Sequence, residues 1–265
     1  MQRVRRAYGT RAVGHTGTLD PFATGLLVAL VGRATRLARF VEGQAKTYLA
    51  EARLGLATDT DDLTGAPLGA ARPVDVTEQA VHDALDRFRG AGWQRPPAFS
   101  AKHVAGARSY QLARRGQAVE LPPVAIEVLS VELVEFAAGA VHFRVVVSAG
   151  TYVRAMARDL GEALGTGAHL TALRRERIGV LDVSDAVPLD RLGPATPLLP
   201  PEAVLPGLPR HELADEDAAA IRHGRQIAET SVGTGPVALM HGGALLAIGD
   251  PADGMIQPRV VLEGS

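Results

Sequence analysis

The stretch V-G-H-T-G-T-L-D-P-F-A-T-G-L-L, Val13 to Leu27, decides how this chain is read. Three glycines surround one histidine, His15, and one carboxylate, Asp20, and an apolar run follows. A carboxylate on a Gly-rich loop braced by Pro21 has two uses. It can close a turn, which aspartate does by bonding to nearby backbone. It can also serve as a covalent nucleophile at a rigid loop tip. The flanking glycines let a bulky substrate approach the backbone closely. The local pattern taken by itself favours the turn.

The rest of the chain narrows the choice. Its 265 residues fit one large domain or two unequal ones. There are no cysteines, which rules out disulfides and thiolate metal sites and suits a reducing compartment. The formal net charge is -1, so any nucleic-acid contact has to come from local basic patches. The start is basic but lacks an apolar signal region. The nearby run Leu26 to Val31 is too short to span a bilayer. These features predict a soluble, cytoplasmic protein.

Strands are predicted where apolar residues alternate. Lys46 to Leu54 sets Tyr48, Ala50, Ala52 and Leu54 against Thr47, Leu49, Glu51 and Arg53. Val124 to Phe136 and Val141 to Ser148 read as two strands joined by the turn Ala137 to Ala140. Helices are predicted over Ala34 to Val41, behind the N-cap Thr77, and after Gly150. The acidic segment T-D-T-D-D-L-T-G, Thr58 to Gly65, reads as a loop. Seven of the 17 prolines fall between Pro188 and Pro209, which predicts a connector and not a core element. Beyond it a short helix over Asp215 to His223 and several Gly-turned strands suggest a small β-rich module. The alternation is not a regular βαβ series, so the expected class is α+β with a mixed, largely antiparallel sheet.

Chemistry has few candidates. No phosphate-binding P-loop, H-E-x-x-H or strand-flanked G-x-G-x-x-G occurs, and the eight histidines are scattered. Carboxylate, tyrosine and arginine remain. Tyr48 sits on a predicted strand, where a core tyrosine with a paired hydroxyl is the plain expectation. Tyr152 and Arg154 lie in S-A-G-T-Y-V-R. If that segment is extended, the two share a face; if a helix has begun, they diverge. Arg154 could pair bidentately with a carboxylate or lie on a solvated helix start. His15 could bond within its own loop. The cluster Arg174, Arg175 and Arg177 suits phosphates.

Together these stretches resemble the TruB family of bacterial tRNA pseudouridine-55 synthases. The similarity runs in order through the loop itself, G-R-A-T-R-L, K-T-Y-L-A-E-A-R-L-G-L-A-T-D-T-D-D-L-T-G, P-P-A-F-S-A-K-H-V-A-G-A-R-S-Y-Q-L-A-R-R-G, S-A-G-T-Y-V-R-A-M-A-R-D-L-G and G-A-H-L-T-A-L-R-R, covering residues 3 to about 185. The resemblance implies a pseudouridine synthase fold with helices flanking the sheet and a C-terminal PUA-like domain. It implies that residues 1–187 are catalytic, 188–209 a Pro-rich linker and 210–265 the PUA-like RNA-binding part. It further implies Asp20 as nucleophile, Tyr48 as the ring that stacks on the target base and helps remove the C5 proton, and Arg154 as the partner of Asp20. His15, Tyr152 and Leu173 would line the uridine pocket or help extrude the base. An RNA-gripping insertion is expected at about 95–121, with Lys102, His103, Arg108, Arg114 and Arg115. The implied partner is tRNA, through its T-arm and acceptor end, bound by a monomer without metal or cofactor. Members of that family carry an upstream strand and a K-P-x-G-x-T-S-like motif, whereas this chain starts inside the following helix at Met1. The alternative expectation is therefore a tRNA-binding or folding module without catalysis. An aspartyl-nucleophile hydrolase is a third reading, against which stands the lack of a metal-ligand cluster.

Overall fold

The strand Lys46–Leu54 is the axis of the fold because both its neighbours pair with it along nearly its whole length. Residues 1–99, 121–228 and 233–262 are described in this computed structural model, together with the backbone of the short strands His103–Val104 and Ala107–Arg108. Most of the expected RNA-gripping insertion, with the side chains of Lys102, His103, Arg108, Arg114 and Arg115, lies outside the described residues.

Burial along Lys46–Leu54 alternates as the apolar pattern predicts, with Tyr48, Ala50, Ala52 and Leu54 turned inward. Its partners are Ala140–Val147 on one side and Ala168–Ile178 on the other, both antiparallel. Val124–Ala137 and Gly90–Gln94 extend the sheet beyond Ala140–Val147, and Leu181–Asp182 caps the other edge. The hairpin between the two long strands closes through Ala138 and Gly139, both at positive φ (49° and 78°), as a two-residue primed turn requires. The loop joins this sheet through a parallel contact: Thr24–Gly25, the end of the Asp20 loop, lies beside Arg174 and Arg175. The sheet is thus mixed and largely antiparallel, as expected.

Two helices cover its buried face. Thr77 caps Glu78–Asp86 by accepting from the Ala80 N–H at 3.2 Å, and the helix buries Val81, Ala84 and Leu85. Val153–Ala163 buries Val153, Met156, Ala157 and Leu160 against the sheet. It sits so close that a Cβ on Gly161 would stand 2.2 Å from the Ala168 nitrogen. No described helix is long and apolar enough to cross a membrane.

The predicted helix at Ala34–Val41 is a 3-10 turn, Gly32–Leu37, leading into a short α-helix, Ala38–Glu42. The Pro-rich segment departs from expectation. It is largely irregular, but Pro201–Val204 forms a 3-10 turn, and Val204 and Leu205 are 6% exposed each. They join Leu26, Val28, Leu30, Leu37, Val41 and Ile178 in a second core that also takes in Met240, Ile248 and Val260 of the C-terminal sheet. Proline density signals stiffness and lost donors, but the few apolar residues between the prolines still bury themselves. The C-terminal part is a five-stranded sheet packed on the helix Asp215–Arg222. The run after the Asp20 loop therefore rests on the C-terminal part of the chain.

Candidate active site

Asp20 closes a turn with its backbone and presents its side chain separately. Its carbonyl accepts from the Ala23 N–H at 2.9 Å, closing a turn with Pro21 at the second position, the usual place for proline in a tight turn. Its side chain is free of that turn and reaches Arg154. Arg154 Nε donates to Asp20 Oδ2 at 2.9 Å and Nη2 donates to Oδ1 at 3.0 Å, a bidentate pair across 134 residues of sequence. The Asp20 side chain keeps 30% of its surface open, whereas that of Arg154 keeps 6%. The acid faces outward from a buried guanidinium.

Arg154 is the second residue of its helix, and Tyr152 before it is still extended (φ -105°, ψ 110°). The divergent reading of Tyr152 and Arg154 therefore holds. Tyr152 is fixed through its backbone, giving its N–H to Gln94 Oε1 at 2.8 Å and accepting from Gln94 Nε2 at 3.0 Å. Arg154 also donates to the carbonyls of Thr60 and Phe99, each at 3.0 Å. Every face of the guanidinium is used.

A second carboxylate, for which the sequence suggested no role, completes the arrangement. Asp62 Oδ2 lies 3.5 Å from Arg154 Nη1, and the side chain is only 6% exposed. Its other oxygen accepts from Thr60 Oγ1 (2.8 Å), the Thr64 N–H (2.9 Å) and Thr64 Oγ1 (2.6 Å). The segment T-D-T-D-D-L-T-G is thus a self-bonded loop, pinned to the sheet by Leu63 and Leu170 N–H bonds. The alternation of Thr and Asp was its available signal, since such side chains bond their own backbone.

Asp61 next to it takes a positive φ of 59° and receives Arg158 Nη1 at 2.9 Å. Burial outweighs that guanidinium and pushes the Asp61 carboxyl from 3.8 up to about 6. A raised value means the folded state holds the proton more tightly than the unfolded state. Stability therefore falls as pH rises from about 4 to about 6. Asp61→Asn keeps the tolerated positive φ and removes this dependence. The stability difference between pH 4 and 7 should flatten by about 2 kcal/mol relative to the parent in denaturant titrations.

Tyr48 is 8% exposed and lies in the central core together with Leu173. Burial pushes its hydroxyl up, the Arg175 charge pulls it back, and the Asp20 carboxylate raises it again. That last influence puts Tyr48 and Asp20 in one electrostatic neighbourhood. His15 lies on the short strand Val13–His15, paired with Ala29–Val31. Its buried Nδ1 and the Thr16 Oγ1 lack hydrogen-bond partners among the described residues. The structure thus brings Asp20, Arg154, Tyr48 and Leu173 to one region and leaves His15 on a short strand before the Asp20 loop and Tyr152 at the start of the Arg154 helix. Two recesses, of about 620 and 330 Å³, occur elsewhere, around Gly55, Arg72 and Gly167 and around Val74 and Gly139. None of the residues lining them belongs to this group.

The predicted phosphate cluster is divided. Arg174 is exposed, Arg177 is held at 2.5 Å by Asp182, and Arg175 is 1% exposed and turned inward. Strand alternation separates Arg174 from Arg175, and an irregularity in the pairing between Arg175 and Arg177 turns Arg177 outward as well. Among the described residues, no group of three His, Asp or Glu side chains is placed to hold a metal ion.

Comparison with known proteins gives a consistent answer. Residues 5–153 match the model of the TruB family pseudouridylate synthase N-terminal domain, and residues 154–198 that of the tRNA pseudouridylate synthase B C-terminal domain. The tRNA pseudouridine synthase B of Thermobifida fusca is 43% identical over 274 residues, covering 99% of this chain and 93% of the relative. That of Mycolicibacterium paratuberculosis is 46% identical over 239 residues, covering 87% and 80%. Among solved structures, the archaeal box H/ACA sRNP Nop10-Cbf5 complex aligns with a TM-score of 0.72 at 23% identity, over 99% of this chain and 81% of that one. At that identity the likeness speaks to the fold.

Proposed function

The chain belongs to the TruB family of pseudouridylate synthases, and from that premise we propose that it isomerises uridine-55 in the T-loop of tRNA to pseudouridine. It is a tRNA pseudouridine synthase, an intramolecular transferase. The observation that carries the site assignment is the bidentate pair between Asp20 and Arg154, with bonds of 2.9 and 3.0 Å.

The reaction breaks the N1–C1′ bond, turns the base and forms C5–C1′, while one proton moves from C5 to N1. No atom is gained and nothing is oxidised. It needs one aimed carboxylate, one acceptor for the C5 proton and a site that holds an extruded nucleoside. Asp20 is the carboxylate. It acts on C1′ or C6, or assists departure of the base as a glycal; all three routes require it beside the sugar or ring. Arg154 fixes both its oxygens, so the acid is oriented before substrate arrives. Taking the uridine out of its stack costs a few kcal/mol, and the Tyr48 ring offsets part of this by stacking. Tyr48 also helps remove the C5 proton. His15, Tyr152 and Leu173 complete the pocket. Exposed arginines such as Arg174 supply phosphate contacts. We assign residues 1–187 to catalysis, and residues 210–265 to a PUA-like module contacting the acceptor end. The protein acts as a cytoplasmic monomer.

Release of tritium from C5-labelled uridine in tRNA tests this reading. The chain should release it and Asp20→Asn should not; tRNA binding with no release by the parent would favour a binding module. The role of Tyr48 has its own test. Tyr48→Phe should weaken tRNA binding by less than about threefold and Tyr48→Ala by about tenfold, because phenylalanine still stacks. Equal losses in a filter-binding titration would remove the stacking role.

A further inference from the structure

Arg175 has the largest of the fully buried side chains among the described residues, at 1% exposure. It stands directly opposite Tyr48 in the antiparallel register, so the two side chains leave the sheet on the same face. Its Nε donates to the Leu26 carbonyl at 2.8 Å and its Nη2 to the Gly17 carbonyl at 3.1 Å. Those two carbonyls flank Asp20 on either side of the loop. The loop backbone is pressed onto the strand at the same place: Leu26 N–H donates to the Arg175 carbonyl at 2.8 Å. Gly25 has φ +97°, and a Cβ there would stand 2.2 Å from the Arg175 carbonyl oxygen.

No carboxylate among the described residues pairs with this guanidinium, whose bonds to the loop all go to carbonyls. Lys46 is close by and in the same condition, its Nζ donating to the carbonyls of Glu42 and Gln44 at 2.9 Å each. Burial first, and then Arg175, hold the Lys46 ammonium below its ordinary value. A buried charge without a counterion is expensive, and an apolar residue would fill the space at lower cost. The guanidinium leaves the sheet on the same face as Tyr48, and its charge acts on that hydroxyl against the effect of burial.

We infer that Arg175 is a positioning residue for the reaction proposed above: its fork holds both shoulders of the Asp20 loop at the strand position opposite Tyr48, so that ring and carboxylate meet the same nucleoside. A planar guanidinium offers a rigid fork that meets both loop carbonyls at once; a lysine ammonium supplies the charge without the fork. The inference rests on the reading of Tyr48 and Asp20 as reactive groups, and Arg175 itself does not touch substrate.

The test labels the protein with 3-fluorotyrosine and follows Tyr48 by fluorine NMR. The chain has four tyrosines, and the Tyr48 resonance is the one lost in Tyr48→Phe. In Arg175→Met, checked for cooperative melting, the Tyr48 titration midpoint should rise by about one pH unit or more. Single-turnover tritium release should fall at least about tenfold while the tRNA Kd moves less than about threefold. Arg175→Lys should recover part of both. A folded Arg175→Met with an unmoved Tyr48 midpoint overturns the inference. If the methionine variant does not fold, Arg175→Lys decides: the Tyr48 resonance must shift, and an unshifted one overturns the inference. The titration needs no turnover. A chain inactive on tRNA would sink the functional reading while the fluorine signal still judged Arg175.

Discussion

Asp20→Ala should lower single-turnover pseudouridine formation by about 10⁴-fold or more, a loss of about 5.5 kcal/mol of transition-state stabilisation. Its tRNA affinity should stay within about threefold of the parent. The reason is how charge is distributed around the pair. Removing a carboxylate that is 30% exposed uncovers no buried anion. The guanidinium it leaves behind keeps the Thr60 and Phe99 carbonyls at 3.0 Å each and Asp62 at 3.5 Å. The loop keeps its turn, since that depends on the Asp20 carbonyl and the Ala23 N–H. So the fold and the RNA surface survive while the group that acts on the nucleoside is gone. Quench-flow formation rates beside filter-binding titrations separate the two quantities. Ordinary turnover with a large fall in affinity would make Asp20 a binding residue and not a nucleophile.

What could be read in the residues follows from the range of the forces involved. Lys46–Leu54 was legible to the residue, because a strand with one buried face writes its period of two into the sequence. Thr77 and the Ala138–Gly139 turn were legible for the same local reason: cap and turn geometry act within four residues. The pairing of Asp20 with Arg154 is not local, and the family resemblance supplied it. The separation of Arg174 from Arg175 could have been anticipated from strand alternation, but the cluster was read by charge alone; the exposure of Arg177 follows from a pairing irregularity that no local pattern announces. Asp62 was hidden because a Thr- and Asp-rich loop looks the same whether its aspartates face water or a buried arginine. The packing of Val204 and Leu205 beneath the run Leu26–Val31 depends on contacts between distant segments, which proline counting cannot register.

Arg154→Met carries the second large expected effect, and this one falls on stability as well as on rate. Arg154 joins a half-open acid, Asp20, to a nearly enclosed one, Asp62. Taking the cation away leaves Asp62 buried without its counterion, although its Oδ1 keeps three donors from Thr60 and Thr64. Removing one partner of a buried pair costs about 3–5 kcal/mol. Turnover should also be lost, because Asp20 loses both of its orienting bonds. Adding Asp62→Asn distinguishes the two consequences. The amide oxygen of asparagine can accept the same Thr60 and Thr64 bonds while its charge is gone. Arg154→Met/Asp62→Asn should therefore regain about half of the lost unfolding free energy in a urea titration, without regaining turnover. Arg154→Lys should fall between, holding the charge but reaching only one oxygen at a time. If the double variant is no more stable than Arg154→Met, Asp62 is not the charge that Arg154 neutralises. If the double variant recovers turnover along with stability, the guanidinium was needed for folding alone and does not aim Asp20.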